Sequence, residues 1–235
     1  MKKKDLDFEN IALVLAGKEG GKGFLNALRS VGWIELRVDY YLRQFPKGDT
    51  VAWAREIRKV VRGNIIATVR HQKEQEKKEF AINENVRLQL YQKLLPYVDY
   101  VDVELRSRLA SEVVHLAHRD GKKVICSYHD FSKTPSPDRC KSLLRRAQGL
   151  GADIFKIATR VRSSYDFAVL LTFLAQKDKD AGVIVIPMGT RVLERIVPLY
   201  LGSLFTYVFW TVCTASGQPS FKEIEKTLDK IKYAG

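Results

Sequence analysis

A chain of 235 residues with 46% hydrophobic content can fill one domain of the larger kind with a sizeable core, which excludes wholesale disorder. Its 40 Lys and Arg against 27 Asp and Glu give a net charge of +13, compatible with nucleic acid, an anionic membrane or an anionic substrate, but the charge is spread along the chain and no basic arm stands out. Cys126, Cys140 and Cys213 are far apart and form no CxxC pair, which argues against structural zinc and a disulfide framework and for reduced thiols in the cytoplasm. The basic N-terminal segment MKKKDLDFEN runs into acidic residues and is not a signal peptide. The most apolar late stretch, residues 199–213, is too short and too polar in its middle to span a bilayer, so no membrane association is expected.

In chain order, residues 11–16 (IALVLA) are a continuous apolar run and predict a buried first strand. The glycine-rich turn GKEGGKG follows, without the Gly-Lys-Ser/Thr ending of a P-loop. A short helix is expected over 24–30. Strand two covers 33–38 (WIELRV), and its two-residue period puts Glu35, Arg37 and Asp39 on one side. Residues 50–61 form an amphipathic helix capped by Asp49 or Thr50. Strand three spans 65–69 and ends at Arg70, and 85–95 is helical up to Pro96. Strand four, 98–105 (VDYVDVEL), alternates apolar and acidic residues and presents Asp102 and Glu104 on one face.

The second half repeats this cadence. Residues 110–119 are a helix, 123–127 strand five, and 136–150 a helix opening at Pro-Ser-Pro. Gly151-Ala-Asp-Ile-Phe-Lys156-Ile-Ala is strand six, followed by a helix from Ser164 with Ser163 and Asp166 spaced as a capping box. Strand seven covers 182–187, a helix 192–200, strand eight 204–209 and a closing helix 220–231. Eight alternating strand-then-helix units predict parallel strands with crossovers, hence a single (β/α)8 barrel of α/β class, slightly shorter than the usual size of about 250 residues.

Chemistry in such barrels lies at the C-terminal strand ends. Those ends carry Glu35 and Arg37, Arg70 with Glu74 beyond it, Glu104, His129, Lys156 and Met188, while Arg195 and the 216–218 loop follow strands seven and eight. Each group has an ordinary structural explanation. A lone lysine in an apolar strand commonly snorkels to the surface, a lone histidine is commonly a hydrogen-bonded core residue, and a lone arginine an ion-pair group. Their joint placement at one mouth is harder to derive from packing. Lys156 among cationic neighbours is expected to lose basicity and attack a ketone, the protonated imine then serving as electron sink for loss of an α-proton. His129 is the expected general acid/base, oriented by Glu74, and arginine suits a carboxylate on the substrate. These residues point to an anionic keto compound that undergoes proton abstraction and elimination.

At these positions the sequence resembles the type I 3-dehydroquinate dehydratases, from about strand two to the closing helix. The residues carrying the resemblance are Glu35-Leu-Arg37-Val-Asp39, Thr68-Val-Arg70 with Glu74, Asp102-Val-Glu104-Leu105, Ser127-Tyr-His129-Asp130-Phe131 with Thr134-Pro135, and the Lys156 strand. Met188, Arg195, Gly202-Ser203, Thr206-Tyr207, Ala215-Ser216 and Gln218 follow in order. The resemblance implies Lys156 as imine former, His129 as acid/base for the C2 proton and the C1 hydroxyl, and Glu74 as its helper. It implies Arg195 on the carboxylate, Glu35, Arg37 and Arg70 on hydroxyls, and Met188, Ser216 and Gln218 closing over the substrate. It further implies syn elimination to 3-dehydroshikimate in the shikimate pathway, no metal or organic cofactor, a small-molecule substrate and no nucleic acid, and a homodimer.

The chain departs from the family pattern at the clamp and the lid. Glu74-Gln75-Glu76 stands where Glu-Gly-Gly is usual, the 188–195 segment is one residue shorter, and the closing loop reads Ala-Ser-Gly-Gln. Glu194 replaces a serine and is expected to pair with Arg195 and compete with the substrate. Three alternatives follow: another Schiff-base lyase or aldolase with an anionic keto substrate, a catalytically quiet homologue used for binding, and, from composition alone, a nucleic-acid-binding protein, which no recognisable motif supports.

Overall fold

Eight short apolar runs, each able to bury both faces, pair in parallel and curl into a barrel. The computed structural model describes residues 6–78 and 80–233; residues 1–5 of the basic N-terminal segment, Glu79 and residues 234–235 lie outside the described residues. The strands are β1 (Ile11–Leu15), β2 (Trp33–Arg37), β3 (Asn64–Thr68), β4 (Tyr100–Glu104), β5 (Lys123–Asp130), β6 (Ile154–Arg160), β7 (Gly182–Met188) and β8 (Thr206–Phe209). They form one sheet in the order β7-β6-β5-β4-β3-β2-β1-β8, with every pair parallel. The β7–β8 seam closes without a ladder. Leu204 N–H donates to the Val183 carbonyl at 3.0 Å, and Val185 N–H donates to the buried Ser203 hydroxyl at 3.0 Å. The result is the expected (β/α)8 architecture, nearly closed.

Alternation sorts each strand between two cores. Leu13, Ile34, Ile65, Ala67, Val101, Val103, Val124, Phe155, Ile157, Val183 and Val185 face outward into the layer under the helices. Ala12, Val14, Ile66, Tyr100, Ile125, Ile154, Ile184, Ile186, Met188, Phe205 and Tyr207 pack inside the barrel, where the Trp33 ring lies 4.9 Å from Tyr100 and 4.3 Å from Phe205. Going up β2 to β6 the inward residues turn polar: Trp33 to Glu35, Ile66 to Thr68, Tyr100 to Asp102, Ile125 to Ser127, Ile154 to Lys156. Along β7 they stay apolar to the end, through Ile184, Ile186 and Met188. The N-terminal half of the barrel is therefore a sealed apolar plug, and the charge collects at the other end.

Outside lie α1 (Phe24–Ser30), α2 (Val38–Gln44), α3 (Thr50–Val60), α4 (Glu84–Leu94), α5 (Ala110–Arg119), α6 (Pro137–Gly149), α7 (Ser164–Ala175), α8 (Val192–Tyr200) and α9 (Phe221–Tyr233). Asp49 caps α3 by accepting from Val51 and Ala52 N–H, Ser136 caps α6 ahead of Pro137, and Ser163 with Asp166 makes the anticipated capping box on α7. Strand four is shorter than the sequence reading, Tyr100–Glu104, and strand six is shifted to Ile154–Arg160; three further boundaries differ for side-chain or seam reasons. The chain turns into α2 at Val38, so Asp39 lies on a helix rather than extending strand two; its carboxylate takes both Arg37 Nε and Nη2, at 2.9 and 2.7 Å, and this fork fixes the turn. β5 runs on past Ser127 to Asp130, which carries His129 within the strand. β8 starts at Thr206, because Leu204 and Ser203 are engaged in closing the seam.

Candidate active site

The C-terminal mouth of the barrel opens onto a cavity lined by Lys156, His129, Glu35, Arg70 and Arg195. Lys156 rises into it from the middle of β6, with the residue 5% exposed. The apolar β6 run holds the lysine stem, and β4 supplies the counter-charge: Lys156 Nζ donates to Asp102 Oδ2 at 2.9 Å, lies 3.8 Å from Glu35 Oε1 and sits 4.2 Å from the centre of the Tyr207 ring. The sequence reading set Lys156 among cations. Its immediate partners are two carboxylates and a ring face, because Asp102 and Glu35 point inward at the same height of the barrel.

His129 stands on the neighbouring strand. Its Nδ1 meets Glu74 Oε2 at 2.9 Å, so Nδ1 carries the proton that the carboxylate accepts, and Nε2 is left with a free lone pair. Phe131 stacks on the imidazole, 6.1 Å away at 13°. Arg70 is threaded through the carboxylates: its Nη1 reaches Asp102 at 2.9 Å, Glu104 at 3.3 Å and the Ser127 hydroxyl at 2.8 Å. Ser127 Oγ in turn donates to Asp102 Oδ1 at 2.6 Å. Glu35 accepts from Thr68 Oγ1 at 2.8 Å.

The opposite side is built differently. Arg195, from the first turn of α8, is 1% exposed; its Nη2 donates to the Ser216 carbonyl at 2.7 Å, and its Nε has no partner. Met188 ends β7 and lines the cavity, and Gln218 lines it while accepting from Thr214 N–H and Oγ1 at 2.9 and 3.0 Å. Ser216 does not line it. Its hydroxyl and its N–H, the latter at 2.9 Å, both donate to Glu76, which tethers the β3 loop to the β8 loop. Gly217 lets the closing loop turn there: its φ is +68°, and a Cβ would come 2.7 Å from the Thr190 carbonyl. Glu194 makes no ion pair with Arg195, contrary to expectation. Successive helix residues point about 100° apart, and while Arg195 is buried Glu194 stays half-buried on another side.

A profile of the type I 3-dehydroquinase family matches residues 19–234. The chain belongs to that family. A 3-dehydroquinate dehydratase of Thermodesulfovibrio yellowstonii is 30% identical over 215 residues, covering 91% of this chain and 92% of the relative. Among solved structures, the 3-dehydroquinate dehydratase of Geobacillus kaustophilus superposes with a TM-score of 0.82 at 22% identity, over 96% of this chain and 91% of that one. The type I enzyme of Clostridium difficile, solved with covalently modified comenic acid, gives 0.78 at 27% identity, over 98% and 95%. As an enzyme of the type I 3-dehydroquinase family, the chain is a lyase.

Within this type I 3-dehydroquinase mouth, burial and pairing set the charges. Burial alone would raise the Asp102 carboxyl, but Arg70 and Lys156 overcome it and hold it well below the usual carboxylate range. Glu74 is likewise pulled down against its burial by His129 and Arg106. Burial, helped by the Arg70 charge, lowers His129 below the ordinary histidine value in spite of Glu74. Burial also drives Arg195 down to about 10, with Cys213 and Glu76 offering weak compensation. Tyr207 is pushed well above its ordinary value by burial, so its hydroxyl stays protonated.

Three partners of these groups are not identified as site residues by the sequence pattern. Asp102 was visible as an inward acidic position but not as the partner of Lys156. Arg87 on α4, fully buried, donates to Glu104 Oε2 at 2.6 Å and to the Val69 carbonyl at 2.9 Å, locking the carboxylate that supports Arg70. Arg106, beyond β4, touches both Glu74 and His129. A charged residue just past the Asp-Val-Glu-Leu strand was the one signal that pointed to it.

Proposed function

We propose that the protein converts 3-dehydroquinate to 3-dehydroshikimate by syn elimination through a lysine imine. One observation carries this reading: a buried lysine, a histidine with a free Nε2 and a buried arginine without a carboxylate partner line the same cavity. Lys156 gives its ammonium proton to solvent and attacks the substrate ketone as the free amine; the carbinolamine hydroxyl takes up one proton and leaves as water, giving a protonated imine. That cation keeps the position of the ammonium beside Asp102 Oδ2, so the ion pair made before reaction serves after it. His129 Nε2 removes the C2 proton; the electron pair moves into the imine to form an enamine. The enamine then expels the C1 hydroxyl, which takes the proton from His129 and leaves as water. Hydrolysis of the conjugated imine frees the product and returns Lys156. Glu74 stabilises the transient imidazolium, and Arg195 binds the substrate carboxylate with donors that include its unpartnered Nε. Glu35, Arg37 and Arg70 fix hydroxyls, Met188 and Gln218 pack over the ring, and Ser216 acts through its carbonyl on Arg195. The covalent ligand in the Clostridium difficile relative's structure supports a covalent site in this family.

The test is turnover of 3-dehydroquinate followed by the ultraviolet absorbance of the conjugated product, with His129→Ala alongside. The wild type should form product, and the variant should lose turnover by at least about 10²-fold while still accumulating the imine. No product from the wild type refutes the substrate, and near-normal turnover of the variant refutes the role of His129.

A further inference from the structure

We infer that Arg106 is a positioning residue for the His129–Glu74 pair, one that sets the basicity of the histidine as well as its direction. Arg106 follows β4, on the loop leading to α5. Its Nε donates to Glu74 Oε1 at 2.9 Å while Glu74 Oε2 faces His129 Nδ1 at 2.9 Å. Its Nη2 donates to the backbone carbonyl of His129 itself at 2.8 Å. The guanidinium lies 4.7 Å from the centre of the Tyr128 ring, on the residue before the histidine. One planar fork therefore grips both members of the pair, from two different elements, and Arg106 itself does not line the cavity.

The geometry has two consequences. Glu74 sits in a short turn after β3, and a carboxylate held by one hydrogen bond can rotate; the Arg106 contact to its second oxygen removes that freedom and keeps Oε2 on Nδ1. The second consequence is electrostatic. The positive charge 2.9 Å from Glu74 draws down the carboxylate's capacity to stabilise an imidazolium. The groups facing His129 are Arg70 at the end of β3, Glu74 beyond it, Asp102 on β4, Arg106 after β4 and Lys156 on β6, so Arg106 adds a cation to a site where Arg70 and Lys156 already disfavour the charged ring. A histidine that must start neutral to take the C2 proton gains from this. Arg106 is about half exposed at its side chain, so its replacement leaves the barrel core untouched.

This inference rests on the reaction proposed above, and its test separates the two. The His129 ring is titrated by NMR in the wild type, Arg106→Gln and Arg106→Lys, with His129→Asn to assign the signal, and kcat and KM are measured against pH for the same three. Arg106→Gln keeps a donor and loses the charge; its His129 should titrate at higher pH than in the wild type, and the acid limb of kcat should move the same way. Its kcat should fall about tenfold with KM within about twofold, and Arg106→Lys should return the titration close to that of the wild type. An unmoved titration in Arg106→Gln overturns the inference, as does a fall in kcat with an unmoved acid limb, which would mark a purely structural role. A wild type that shows no turnover refutes the proposed reaction instead, and the NMR titration still decides the role of Arg106.

Discussion

The two sides of the mouth differ in how their charges are met. On the side built from β2 to β6, ionic groups are paired in two sets: Lys156 with Asp102, Arg70 with Asp102 and Glu104, and Arg87 with Glu104 in one, and His129 with Glu74 and Glu74 with Arg106 in the other. On the side built from β7, α8 and β8, Arg195 is buried against a single carbonyl. Among the described residues, the buried side-chain polar atoms without a hydrogen-bond partner are Arg195 Nε, Thr206 Oγ1 and Tyr207 Oη, all on this second side. Burying a polar group without a partner costs roughly 1–3 kcal/mol. Two of these atoms, on Arg195 and Tyr207, belong to residues that line the cavity, whereas Thr206 begins β8 at the opposite end of the barrel. The first side pairs its ionic groups internally, and the second leaves donors of Arg195 and Tyr207 open beside the cavity.

Substitutions can break that contrast. Arg70→Met leaves Asp102 and Glu104 short of a partner inside the barrel and should destabilise the fold by about 3–5 kcal/mol, read from denaturant unfolding. Arg195→Met removes an uncompensated buried cation; it should leave the unfolding midpoint unchanged or raised, while KM for 3-dehydroquinate rises about 10- to 100-fold for loss of a charged hydrogen bond. If both variants lost stability equally, the two sides would not differ in the way described.

Acid sharpens the same contrast. The Asp102 carboxyl is held below its ordinary value in the folded state, so it contributes stability above the usual carboxylate range that is lost as pH falls towards the lowered value. Thermal stability should therefore drop below about pH 4, and Asp102→Asn should flatten that drop, whereas Arg195→Met should leave it in place. Smaller effects belong to the loops. Glu76→Gly frees the Ser216 hydroxyl and N–H from a competing carboxylate and should lower KM about two- to fivefold. Glu194→Ser should leave KM within about twofold, since Glu194 does not meet Arg195. A large effect there would restore the pairing expected from sequence.

Much of this was legible in the sequence because strand geometry is periodic. Inward positions at two-residue spacing put Glu35 beneath Arg37 and Asp102 beneath Glu104, and a lysine inside an apolar run marked β6. The capping signals at Ser163 and at Asp49 or Thr50 are local and local rules found them, whereas Ser136, read as the first helical residue, is the cap outside α6. What was not legible depends on contacts far apart in the chain. Lys156 and Asp102 are 54 residues apart, and Ser216 and Glu76 are 140 apart; no period relates them, so their pairing had to come from the closed barrel. The turn into α2 was missed because Val38 continues the apolar alternation of β2, and the Arg37–Asp39 fork that ends the strand is a side-chain event. The Glu194 expectation failed because neighbours in a helical sequence are not neighbours on its surface.

The central claim is that Lys156 is the nucleophile. It is tested most directly by mass spectrometry of the intact protein after incubation with 3-dehydroquinate and borohydride, which reduces an imine to a stable amine. The account predicts a mass gain localised to Lys156 by peptide mapping and absent from Lys156→Met, with product formed in a parallel unreduced sample. No adduct, or an adduct on another lysine, would contradict it.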